Sequence, residues 1–145
     1  MGGTLKLSTG LKGPEDLDVS DLVPNGKLRL LTVKPHYLLN STFANMPRQA
    51  GQQGNPTLEM HPSDAEKLGL KDGSGIVAHN GKGTLAATLR VTDAVLKGTT
   101  VLEGKFWWTS DEDGSPVSNR LANSNWTEGG QPTFNDIFVE VTTTS

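Results

Sequence analysis

Apolar and polar side chains alternate most cleanly from Thr84 to Val91, with Leu85, Ala87, Leu89 and Val91 on one side and Thr84, Ala86, Thr88 and Arg90 on the other. That period of two predicts a strand with one buried face. Ser74–His79 precedes it as a partner strand, and Asn80-Gly81 supplies the residue types of a two-residue type I′ turn with positive φ at both positions. Thr57–Met60 alternates in the same way, Thr99–Leu102 follows the Lys97-Gly98 turn, and Ile137–Val141 closes the series. Leu28–Val33 is a short apolar-rich run bounded by Asn25-Gly26 and Pro35, as expected for a buried strand.

One helix interrupts the strands. Ser63 followed by Glu66 after His61-Pro62 carries the signature of a capping box, and Gly69 suits a left-handed stop. A helix of about two turns is therefore predicted over roughly Asp64–Leu68. Residues 34–56 and 104–135 are long polar stretches without periodicity, and a loop of that length usually serves a function or hides a short helix. Residues 1–27, rich in Gly, Asp and Pro, read as an irregular arm, and residues 28–145 as one domain. Six strands and one clear helix predict a β-barrel with a small helical insert.

Composition narrows the function. Thirteen basic against 16 acidic side chains give a net charge of −3, which leaves no basic excess for nucleic acid. No apolar run reaches the roughly 18 residues of a membrane helix. The first residues lack a secretory leader's apolar core and cleavage site, which favours cytoplasm over secretion. The absence of cysteine excludes a disulfide scaffold, a thiolate metal site and a cysteine nucleophile.

Familiar catalytic and nucleotide motifs are also missing. GxGxxG and G-x-S-x-G do not occur, and Gly98 to Lys105 has the wrong spacing for a P-loop. His36, His61 and His79 lie far apart, so structural roles are favoured over metal ligation; His61 with Asp64 is at best a weak pair. The sequons at Asn40 and Asn125 are what nine asparagines in a Ser- and Thr-rich chain give by chance. What remains is the pair of polar segments, rich in Asn, Gln, Ser, Thr, His and Trp. Long loops on a rigid scaffold are where binding sites are usually built. In Trp107-Trp108, extended neighbours face opposite ways, so one ring is left for a ligand or a partner domain.

The order of these pieces resembles one family. Leu30-Leu31-Thr32-Val33-Lys34, the loop with His36 and Asn40-Ser41, and above all Pro62-Ser63-Asp64-Ala65-Glu66-Lys67-Leu68-Gly69-Leu70-Lys71-Asp72-Gly73 look like the molybdopterin dinucleotide-binding domain. That domain stands at the C-terminus of molybdenum and tungsten oxidoreductases of the dimethyl sulfoxide reductase family, which includes formate dehydrogenases and nitrate reductases. The resemblance continues through Gly83, Val91-Thr92-Asp93, Lys97-Gly98, Asn119-Arg120-Leu121-Ala122 and Phe138-Val139-Glu140-Val141.

It implies a mainly β fold, a six-stranded double-psi β-barrel with one or two short helices. It further implies a domain that closes over bis-molybdopterin guanine dinucleotide, with the molybdenum or tungsten held by other domains. Carried over by motif position, Thr32 and Lys34 stand at the family's T-x-[RK], and His36, Asn40 and Ser41 match the loop that follows. Asn119 matches an asparagine whose amide reads a ring edge with a donor and an acceptor. Trp107 and Trp108 fall where the family has an aromatic or histidine near the cofactor. Phe134-Asn135 falls where an aromatic is commonly followed by lysine, so Asn135 is a departure. Lys34 departs more mildly, because a lysine offsets phosphate charge without an arginine's planar fork. The implied partners are the remaining domains, or a catalytic subunit, of an oxidoreductase, and the chain would be a fragment of it or a small separate subunit.

Two other readings stay open. Double-psi barrels include a decarboxylase that cleaves itself at a Gly-Ser bond, and Gly73-Ser74 and Gly114-Ser115 are such bonds. The tryptophans and Asn/Thr-rich loops would also suit a stand-alone module that binds carbohydrate or protein.

Overall fold

In the computed structural model, which describes residues 23–39, 42–103, 117–133 and 135–144, the predicted strands all form. They are β1 (Leu28–Val33), β2 (Thr57–Met60), β3 (Gly75–His79), β4 (Thr84–Val91), β5 (Thr99–Glu103) and β6 (Ile137–Thr143). They close into a barrel in the order β1-β5-β2-β4-β3-β6, which leaves no free sheet edge. Two pairs are parallel, β1 with β5 (Leu30 opposite Thr100) and β2 with β4 (Leu58 opposite Leu89). The other four pairings are antiparallel. The six-stranded barrel expected from the resemblance is thus the fold.

The alternation read in β4 holds: Leu85 and Leu89 are buried, whereas Thr84, Thr88 and Arg90 are exposed. Leu30, Leu58, Met60, Ile76, Leu102 and Val139 add the inward rows of the other strands, and Leu121 joins them from outside the sheet. Fully burying a side chain of this size contributes roughly 1.5–3 kcal/mol, so the barrel interior dominates the stability.

Two local expectations need correction. The helix after β2, here α2, spans Pro62–Lys67, and its N-cap is His61 rather than Ser63. The His61 imidazole Nδ1 accepts from the Ser63 amide at 3.1 Å, and Pro62 fills the first helical position, where a missing N–H costs nothing. The β3–β4 connection is a four-residue turn, in which neither Asn80 nor Gly81 has a positive φ. There the Asn80 side chain accepts from the amides of Lys82 at 2.9 Å and Gly83 at 3.2 Å, an Asx turn in place of type I′. The polar stretch 34–56 does hide a short helix, α1 (Pro47–Gln53), which buries none of its side chains. Residues 1–22 of the expected arm lie outside the described residues. Residues 24–27 form a turn, with Gly26 at φ 79° and the Lys27 amide donating to Pro24 O, that delivers the chain to β1.

Candidate functional site

Side chains alternate along a strand, so the inward row of β1 runs Leu28, Leu30, Thr32. The first two are buried; Thr32 is exposed, because β1 outruns the core at one mouth of the barrel. At that mouth a 3₁₀ turn, Ser118–Leu121, lies against β4. Leu121 is buried in the barrel while Asn119, two residues earlier, faces outward. The turn is closed by the Arg120 amide donating to Val117 O and the Ala122 amide donating to Asn119 O.

The loop from 123 to 133 leaves this place and returns to it, because Asn123 staples its ends. Its amide nitrogen donates to Asp136 O at 2.8 Å, and its carbonyl oxygen accepts from the Thr133 hydroxyl at 2.8 Å and from the Asn125 amide. The staple brings the approach to β6 beside the 3₁₀ turn. The result is a cavity of about 370 Å³ lined by Thr32, Ser118, Asn119, Ala122, Asn135 and Ile137. Three of the residues singled out in the sequence, Thr32, Asn119 and Asn135, therefore converge from distant parts of the chain. Their chemistry is neutral: one hydroxyl and two amides, each able to donate and accept.

Lys34 and His36 follow β1 on exposed chain and do not line the groove. The His36 amide donates to the Glu103 carboxylate at 2.9 Å, and its ring meets Tyr37 edge-on. Asn40, Ser41, Trp107, Trp108 and Phe134 lie outside the described residues. Ser118, Ala122 and Ile137 were not foreseen, although Ser118 is adjacent to Asn119 and Ile137 begins the last strand. Leu31, Val33, Tyr37, Leu39, Phe43 and Met46, all within one stretch around the end of β1, are exposed.

The opposite mouth is built differently. There Asp64, in α2, is buried and its Oδ2 accepts from the Gly98 amide at 2.7 Å, tying the helix to the β4–β5 turn. Lys67 stands 3.6 Å from its other oxygen. A cavity of about 440 Å³ opens beside Leu28, Asp64, Lys67 and Gly98. His61 is committed to its cap, and among the described residues no group of three or more His, Asp or Glu stands where a metal could be held. Gly73-Ser74 sits in a hydrogen-bonded turn, with the Gly73 amide on Leu89 O and the Leu89 amide on Ser74 O. Gly114-Ser115 lies outside the described residues. Among the described residues no helix is long and apolar enough to cross a membrane.

Residues 28–137 match the family described as "Molydopterin dinucleotide binding domain". Biotin sulfoxide reductase of Cereibacter sphaeroides is 31% identical over 63% of this chain. Trimethylamine-N-oxide reductase of Haemophilus influenzae is 33% identical over 56% of it. The chain covers 12% and 10% of the lengths of these two relatives. Acetylene hydratase from Pelobacter acetylenicus shares the fold, with a TM-score of 0.64 and 19% identity over 88% of this chain and 19% of that one.

Proposed function

The chain belongs to the molybdopterin dinucleotide-binding family, the domain found in oxidoreductases of the dimethyl sulfoxide reductase type, and we propose that its groove grips the guanine dinucleotide form of that cofactor. The observation that carries this reading is the convergence of Thr32, Asn119 and Asn135 on one cavity. The residues fit such a group: a fused polar ring presents donors and acceptors along its edge, and two amides with a hydroxyl match these without committing charge. At about 370 Å³ the groove holds one part of a dinucleotide, so other domains would supply the remaining wall.

Within this reading Asn119 reads the ring edge, Thr32 and Asn135 bound it, and Lys34 and His36 stand outside the groove at the same mouth. Lys34 offsets phosphate charge there as a point charge. Asn40, Ser41, Trp107, Trp108 and Phe134 are assigned to the same contact by motif position alone. The cofactor, when bound, supplies metal-centred redox chemistry, with molybdenum or tungsten held by domains beyond this chain. The chain's own residues bind and orient it. The exposed Leu31 and Val33 flank Thr32 and, with Tyr37 and Leu39, suit packing against those domains.

The test is a titration of the chain with GMP, with CMP as control, followed by amide resonances. GMP perturbs the amides of residues 32–34, 36, 117–122 and 135 and leaves α2 unmoved. Asn119→Ala weakens GMP about tenfold, the size expected for losing one or two hydrogen bonds, with the barrel intact. An undisturbed spectrum at millimolar GMP, or equal affinity in the variant, overturns the assignment.

A further inference from the structure

Asn80 and Gly83 do not line the groove, yet both walls of the groove rest on them. The Asn80 side-chain nitrogen donates to Leu121 O at 2.9 Å and to Phe138 O at 3.4 Å. Leu121 ends the 3₁₀ turn that carries Asn119, and Phe138 follows Ile137 in β6. One amide group thus links the Asn119 wall to the Asn135 wall. Its oxygen is occupied by the Lys82 and Gly83 amides, so both donors and the acceptor of this side chain are engaged.

Gly83 completes the contact by having no side chain. A Cβ at this position would stand 2.7 Å from Arg120 O and 3.2 Å from Arg120 Cβ. The backbone of the 3₁₀ turn therefore lies directly on the β3–β4 turn at a separation that only glycine permits.

We propose that Asn80 is a positioning residue for cofactor binding, with Gly83 as the seat on which the Asn119-bearing turn is held at its working distance from β6. The proposal rests on the groove being the cofactor contact. A site whose walls are fixed before the ligand arrives avoids the ordering cost of binding, and loosening one wall forfeits that advantage even though every contacting side chain remains.

Asn80→Asp separates the two roles of the side chain. The carboxylate keeps acceptors for the Lys82 and Gly83 amides, so the turn persists, but it has no N–H for Leu121 O and Phe138 O. The expected result is about a tenfold loss of GMP affinity, together with faster hydrogen exchange at the Ala122 amide while the amides paired between β1 and β5 keep their protection. Gly83→Ala, which lifts the turn off its seat while Asn80 keeps its side chain, gives the same two changes and stands in if Asn80→Asp fails to fold. Wild-type affinity in a folded variant overturns the proposal. So does a loss of affinity that only tracks global unfolding, with the Ala122 amide exchanging no faster than the strands. Failure of the wild-type chain to bind GMP is a different outcome, since it removes the cofactor assignment; the Ala122 exchange result still shows whether the clasp exists.

Discussion

The two mouths of the barrel are finished in different ways. At one, a buried carboxylate is spent on a backbone amide: Asp64 holds the Gly98 N–H, and His61 caps α2. At the other, β1 runs past the core, the 3₁₀ turn Ser118–Leu121 packs against β4, and Thr32, Asn119 and Asn135 present hydrogen-bonding groups to one cavity. The first mouth uses its polar side chains for folding; the second does so with Asn80 and Asn123, yet also turns Thr32, Asn119 and Asn135 towards the cavity. Polar groups near a barrel end are a general requirement of the exposed backbone there. What separates a structural end from a binding end is whether the side chains already have protein partners.

Substitutions can break that contrast in a fixed order of size. The largest effect belongs to the barrel interior: Leu102→Ala removes a fully buried side chain and costs about 2–5 kcal/mol in urea denaturation. Next comes Asp64→Ala, which strands the Gly98 amide and lowers the unfolding free energy by about 1.5–3 kcal/mol, with GMP-responsive resonances at the far mouth unchanged. A shift of those resonances would show that the ends are not independent. Arg90→Ala breaks the exposed pair with Glu59 on the barrel wall and costs about 0–1 kcal/mol, declining further in salt. Asn119→Ala is the smallest in stability, within about 0.5 kcal/mol of wild type, although it carries the binding loss. A large loss of stability in this variant would place Asn119 on the structural side of the contrast.

The same contrast explains what could be read along the chain. β4 was legible because its signal is local: Leu85 and Leu89 repeat at the period of the strand that buries them. The I′ turn was misread because Asn80 acts through carbonyls 41 and 58 residues away, which no neighbouring residue announces. In α2, the cap moved from Ser63 to His61 because Pro62 takes the first helical position, a signal that was present and outweighed by the Ser–Glu spacing. Helix α1 has no buried face, so no apolar periodicity marks it. The groove was legible only through family resemblance: Thr32, Asn119 and Asn135 share no local pattern, and it is closure of the barrel that makes them neighbours.

That closure has a consequence in time. β6 is the strand that pairs with both β1 and β3, and the residues just before it, 117–135, hold most of the groove. As the chain leaves the ribosome, β1 to β5 emerge first, at roughly 5–20 residues per second, and none of them can complete the barrel. Folding dominated by distant pairings then takes milliseconds to seconds. A ligand that needs Thr32 and Asn119 side by side would meet a finished receptor only after translation has passed residue 143 and β6 has paired with β1 and β3.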